Sequence, residues 1–218
     1  MKLVNKRAPP PLLTKYAQTA GASFDDMDKD VKDQLKDALL DEQGWVCGYC
    51  EQRITRARMK VEHFCEQSIC NGENGSEDLR LIYGNLLAVC MGDAGLGRLH
   101  CDTSKATFNS GAGLPIEVSP WNSAHMAAIS YGSTGKVSSS LPRHDTEINI
   151  ILNLNVNLLK EQRRRIFNRV FEFSEHPTPA VKKDKMRRLL QTAIDRAGGG
   201  FPNDFPGLYE YMLNRFCG

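Results

Sequence analysis

The chain has 218 residues, of which 41% are hydrophobic and 25% charged, enough to bury one substantial core or a compact core with appendages. Its net charge of +2 excludes neither acidic nor basic partners, so only the local placement of charge is informative. No apolar run approaches the roughly 18 residues of a membrane span, and the opening MKLVNKRAPPP lacks the apolar stretch of a secretory signal, so the expected compartment is the cytoplasm.

Three parts are expected: an arm and helix over 1–44, a motif-bearing core over 45–110, and a hairpin plus mostly helical region over 111–218. The triplet Pro9 to Pro11 predicts an extended arm through residue 22. From Ser23 a Ser-x-x-Asp pattern resembles a capping box, and Met27, Val31, Leu35, Ala38 and Leu39 follow at helical spacing until Gly44. The other face of this helix carries Asp25, Asp26, Asp28, Asp30, Asp33 and Asp37, interrupted by Lys29, Lys32 and Lys36, and reads as a solvated surface.

Beyond the motif region, AISYGSTGKVSSS predicts a hairpin turning at Gly132 to Gly135. Residues 146–156 suit a strand or a helix equally. The last third reads as three helices. Leu159, Ile166, Val170 and Phe173 share a face of the first; the second starts at Thr178-Pro179, carries Met186, Leu189, Leu190, Ala193 and Ala197, and stops at Gly198 to Gly200; the third spans Pro206 to Phe216. From 160 to 196 there are eleven Lys or Arg against five Asp or Glu, which fits a phosphate-backbone footprint and fits basic outer helix faces equally well.

Seven cysteines cannot all pair as disulfides. Cys47 and Cys50 form a Cys-x-x-Cys, and Cys90 and Cys101 form a second pair separated by the finger MGDAGLGRLH. No βαβ pattern surrounds the first pair, which argues against a thioredoxin-like redox site. Four thiolates suit a tetrahedral zinc ion, with His100 an alternative to Cys101 and ordinary buried thiols the competing reading. Cys65, Cys70 and Cys217 have no spacing partner and are expected to be buried or free thiols.

Between the cysteine pairs lie Glu62, His63, Asn85, Asp102 and Lys105. Phosphodiester hydrolysis needs a base for water and a divalent cation to offset charge on phosphate, and Glu62 with His63 offers both. Neighbours on a strand point to opposite faces, so the pair needs local twist or an open edge to serve one site.

Trp45 to Lys105 resembles the HNH endonuclease motif in its four-cysteine form, a β-hairpin followed by a helix around one divalent metal. VEHF, NLLAVC and CDTSK fall in the family's order. The resemblance implies an α+β fold with His63 as general base, Glu62 and Asp102 as ligands for Mg²⁺ or Mn²⁺, Asn85 holding the loop and orienting the histidine, and Lys105 contacting phosphate. The Pro-rich arm, SFDDM, EQGWVCGYC and the later LNLN extend the likeness to the PtuB-like HNH subunits of Septu antiphage systems, also found beside some retrons. These work with a PtuA ATPase, implying a cytoplasmic hetero-oligomer acting on nucleic acid, DNA ahead of RNA. Where relatives follow EHF with a basic residue and Pro, this chain has Cys65 and Glu66, and a carboxylate there would repel phosphate. Two other readings are a noncatalytic zinc module that binds nucleic acid or protein, and a subunit whose main task is docking an ATPase.

Overall fold

A computed structural model describes residues 1–73, 78–92, 98–109, 116–198 and 204–218. Expectations for the centre of the finger, the middle of the loop over 71–78, the glycines after residue 198 and the division near residue 110 lie outside the described residues.

The Pro-rich arm is not extended throughout. Pro11 opens a short helix α1 (Pro11–Ala17), because proline at the first helical position loses only an amide that had no partner anyway, and α1 buries Leu13 against α2. Helix α2 (Lys29–Gln43), with Asp28 rather than Ser23 at its N-cap, begins five residues later than the Ser23 pattern suggests. The hydroxyl of Ser23 does accept the Asp26 amide at 3.2 Å and donates to its carboxylate, but this closes an isolated turn. The helix ends where Gly44 takes the left-handed conformation at φ 70°. Val31, Leu35 and Leu39 are buried as the spacing predicts, with Leu40 beside them; Ala38 is half-buried, and Met27 is buried but precedes the helix.

Strands β1 (Lys60–His63) and β2 (Leu86–Val89) form a two-stranded antiparallel sheet in which Glu62 faces Leu87 and His63 faces Leu86. All four β2 residues are buried. Buried Gln43, at the end of α2, accepts the Ala88 amide at 2.7 Å and donates to the Ala88 carbonyl at 2.8 Å, standing in for a third strand. Helix α3 (Cys101–Asn109) follows, then α4 (Ser123–Ala127), whose N-terminal amides are capped by Asn122.

The predicted hairpin is present as β3 (Ile129–Tyr131) and β4 (Val137–Ser139). Helix α5 (Pro142–Thr146) runs into one turn of π-helix over Glu147–Ile151, so the ambiguous segment is helical at its start. Buried Glu147 accepts the amides of Glu117 and Val118, which fixes that turn against the chain before α4.

Helices α6 (Asn157–Ser174), α7 (Pro179–Gly198) and α8 (Pro206–Cys217) complete the chain. Leu159, Val170, Met186 and Leu190 are buried as expected, but Phe173 is 61% exposed. The helix turns far enough between Val170 and its last turn to leave that ring outside the core, with Arg169 over its face. One hydrophobic cluster runs from α1 and α2 through β2 to α6, α7 and α8. No helix among the described residues is long and apolar enough to cross a membrane.

One expectation about the cysteines is corrected. Cys65 and Cys70 are joined by a disulfide with Cα atoms 6.0 Å apart. The amides of Ile69 and Cys70 both bond the Glu66 carbonyl at 2.9 Å, and this turn folds the loop back on itself so that residues five apart meet. Cys217 is a buried free thiol.

Candidate metal centre and nuclease site

The Cys47–Cys50 turn lies directly on β2. The Gly48 amide bonds the Ala88 carbonyl at 3.0 Å, and a side chain at Gly48 would have its first carbon 2.6 Å from Leu87, so only glycine allows this approach. Cys90 follows the end of β2 and Cys101 opens α3, so three segments each deliver sulfur to one point. The four Sγ atoms lie within 4.8 Å of one another, with Cys47–Cys101 and Cys50–Cys90 both at 3.8 Å. A tetrahedron with the zinc–sulfur bond of about 2.3 Å has an edge of about 3.8 Å, which these two pairs match, so the group is of a size to hold a zinc ion. Burial pushes the Cys50 and Cys101 thiols up, while hydrogen bonds from Cys101, Cys47 and Cys50 hold Cys90 well below the thiol range. A bound divalent cation would favour the thiolate form of these sulfurs and offset its charge. His100 Nδ1 sits 3.2 Å from the Cys101 sulfur and 3.9 Å from that of Cys90, beside the four-sulfur group rather than in place of a member.

Glu62, His63, Asp102 and Lys105 line one open cavity of about 440 Å³, together with Val61, Glu66, Gln67, Ser68 and Ala106. Glu62 and His63 project from opposite faces of β1, yet both reach the cavity because the sheet has only two strands and β1 is its open edge.

His63 Nε2 lies 3.0 Å from the Arg80 carbonyl, and its ring meets Phe24 edge to face at 4.5 Å between centroids. A carbonyl only accepts, so Nε2 carries the hydrogen and Nδ1 keeps a lone pair, with no protein partner among the described residues. Burial lowers the pKa of His63, which favours this neutral, basic form.

Asn85 braces the loops around this histidine. Its side chain accepts the Cys65 amide at 2.7 Å and donates to the carbonyls of Cys65 at 2.9 Å and Leu79 at 3.2 Å. Its own carbonyl accepts the Phe64 amide at 2.9 Å. The chain just after His63 is thereby tied to the chain just before Arg80.

Glu62 and Asp102 lie within hydrogen-bonding reach of each other. Burial raises the Glu62 carboxyl to about 8 against the pull of Lys105, and Asp102 adds to the rise. Burial opposes ionisation of Asp102 too, but hydrogen bonds from Glu62 and Lys60 win and its pKa is lowered. Two facing carboxyl groups, one protonated for want of positive charge, are a donor set that suits a hard divalent ion.

Lys105 is 1% exposed, and its ammonium lies 2.7 Å from Glu62, 3.2 Å from the carbonyls of His63 and Phe64, and 3.5 Å from Glu66. It is a buried counter-ion to Glu62 rather than an exposed cation. Lys60 holds a similar position on Asp102, with which it forms a close ion pair, and it also donates to Thr103 at 2.9 Å. Tyr49, fully buried inside the Cys47–Cys50 turn, donates its hydroxyl to Glu62 at 3.1 Å. Neither Lys60 nor Tyr49 was expected at the site. Lys60 stands two residues before Glu62 and therefore on the same strand face, a signal the sequence carries; the reach of Tyr49 from the cysteine turn to β1 has no such local signature.

No protein-family model matches the chain. A proposed HNH endonuclease of retron Ec83 from Escherichia coli is 30% identical over 123 residues, covering 50% of this chain and 47% of that relative. The chain thus spans about half the length of the curated relative it matches. That similarity accompanies a four-cysteine group able to hold a metal in a mixed helix-and-sheet fold.

Proposed function

We propose that the chain is a metal-dependent HNH endonuclease subunit hydrolysing nucleic-acid phosphodiesters, DNA ahead of RNA, in a Septu-type antiphage system with a PtuA-like ATPase. The observation that carries the nuclease reading is the convergence of Glu62, His63 and Asp102 on one open cavity, with Asn85 bracing the histidine loop from behind. The retron relative and the sequence resemblance support the setting; the ATPase rests on the resemblance alone.

In this reading Glu62 and Asp102 hold Mg²⁺ or Mn²⁺, and Cys47, Cys50, Cys90 and Cys101 hold zinc. The bound divalent ion would supply Lewis-acid stabilisation of charge on the phosphate and the leaving oxygen. His63 accepts a proton from the attacking water at Nδ1, while the Nε2–H bond to the Arg80 carbonyl fixes the ring and steadies the imidazolium that forms. Asn85 keeps the Arg80 and Phe64 segments in register, so it positions the base without touching substrate. Lys105 compensates part of the Glu62 charge and anchors the carbonyls of His63 and Phe64.

Incubation of the protein with plasmid DNA and with total RNA, each with and without the neighbouring ATPase and Mg²⁺, tests the reading. Mg²⁺-dependent strand cutting lost in His63→Ala is expected. Absence of cutting under every combination would overturn it.

A further inference from the structure

The cavity at Glu62 presents a problem to a polyanion. Its lining carries Glu62, Glu66 and Asp102 against one lysine, Lys105, so a phosphate chain approaching past Glu66 meets an excess of carboxyl groups. On the other side of Val61, a residue that borders both hollows, lies a groove of about 200 Å³ lined by Phe24, Lys32, Leu35, Lys36, Met59 and Lys60. Its charged lining is three lysines and no acid.

The two hollows are also joined through Phe24, which lines the groove and meets the ring of His63. Lys32 and Lys36 are one helical turn apart on α2, so they project side by side with Leu35 between them at the buried floor. The two aspartates next to them on this helix, Asp33 and Asp37, form their close ion pairs with other cations. Asp33 is taken by Lys29 at 2.5 Å and by Arg56 at 3.6 Å, and Asp37 by Arg56 at 3.0 Å. Lys32 donates to the Asp25 carbonyl, and Lys36 makes no hydrogen bond or close ion pair among the described residues, its charge reaching Asp33 only at longer range. By contrast, many cations of the basic C-terminal third are spent locally: Lys182 on Glu175, Arg188 on Asp184 and Arg164 on Glu161.

We propose that this groove is the track for the nucleic-acid backbone, with Lys32 and Lys36 contacting phosphates flanking the one at His63 and Lys60 bridging groove and site. The proposal rests on the nuclease reading for what happens at His63, but not for the binding itself. Phe24 gives the track an apolar wall against sugar or base, and the lysines give it charge without sequence preference. Substrate then enters over α2, away from Glu66.

The test measures binding by the full chain carrying His63→Ala, so that no cutting intervenes. Fluorescence anisotropy with a short labelled DNA duplex, and with an RNA of the same sequence, is followed across a salt series at fixed Mg²⁺. Adding Lys32→Gln and Lys36→Gln should weaken binding of whichever probe binds and lower the slope of log affinity against log salt by about two, one for each lost phosphate contact. Lys182→Gln with Lys183→Gln on α7 serves as the control and should leave both unchanged. Matching circular-dichroism melts check that the lysine changes leave the fold intact. An unaltered slope in the α2 variant, an equal loss in the α7 variant, or no binding of either probe by the parent overturns the proposal. A parent that binds through these lysines while the unmutated chain never cuts would overturn the hydrolytic reading and leave the track standing.

Discussion

Replacing Lys105 with Met isolates the charge arrangement beneath the site. The substitution keeps most of the side-chain volume, removes the ammonium 2.7 Å from Glu62, and frees the carbonyls of His63 and Phe64. Burial has already lifted the Glu62 carboxyl to about 8 with Lys105 in place. A raised folded-state pKa means that the group's contribution to stability is fully present below the unfolded value near 4.5 and is lost as pH rises through about 8. Without Lys105 the folded value climbs further, so the variant goes on losing stability at pH where the parent has stopped. Each pH unit above 8 should therefore cost the variant about 1.4 kcal/mol that the parent does not lose. At pH 6, where Glu62 is protonated in both, only the lost bonds to two carbonyls count, about 1–2 kcal/mol. By pH 9 the total should reach about 3 kcal/mol, near the lower limit for breaking a buried ion pair. Urea titrations at pH 6, 7, 8 and 9 without added divalent ions would measure this, and a drop in melting temperature of roughly 6–12 °C at pH 9 should accompany it. A stability difference that stays constant from pH 6 to pH 9 would refute the claim that Lys105 holds the charge on Glu62.

His63→Ala should abolish cutting with the fold and zinc content intact, and the acid limb of the parent's kcat/KM profile should lie below the ordinary histidine range because burial lowers this group; full activity in the variant, or a limb well above pH 7, would contradict the base assignment. Cys50→Ser should release zinc and unfold the chain, since a structural zinc contributes about 10–16 kcal/mol and a domain's whole stability is about 5–15; metal analysis and a thermal melt decide it. Mild EDTA should stop cutting before it unfolds the protein, and added Mg²⁺ should restore cutting in the parent but not in Asp102→Ala with its zinc still bound. Asn85→Ala removes three side-chain hydrogen bonds around the histidine loop and should cost about 2–3 kcal/mol with a larger fall in kcat than in substrate affinity; an unchanged kcat would show that the loop does not position His63.

What was legible in the sequence follows the range over which each signal acts. The stripe on α2, the hairpin around Gly132 to Gly135 and the proline-started α7 and α8 are set by residues within one or two turns of each other, and they stand close to where spacing puts them. The same local reading overextended the arm, because it treated Pro9 to Pro11 as stiffening the chain when Pro11 occupies the one helical position where proline costs nothing. The disulfide escaped notice because its cysteines are five apart with no regular element between them, and only the turn held by the Glu66 carbonyl brings them together. Lys105 shows the limit most clearly. A lysine near a helix start beside a proposed phosphate site reads as a substrate contact, but which way its side chain turns depends on a carboxylate 43 residues earlier in the chain.

Tyr49 gives that long-range wiring a functional consequence. The residue sits between two sulfurs of the four-cysteine group and its hydroxyl ends on the oxygen of Glu62 that also takes Lys105. Asp102 directly follows Cys101, a third member of the group, so both carboxylates are one covalent or hydrogen-bonded step from the cysteines. Their separation is therefore set by how the sulfurs close. A divalent ion needs its oxygen ligands at a fixed spacing, and a two-stranded sheet with an open edge is too compliant to guarantee it. The four-cysteine centre supplies the missing stiffness from below: it clamps the turn carrying Tyr49 to the first turn of α3 carrying Asp102, and Glu62 is held between them. If Glu62 and Asp102 hold the catalytic ion as proposed, the soft-ligand site and the hard-ligand site would be successive layers of one structure, with the first setting the geometry of the second.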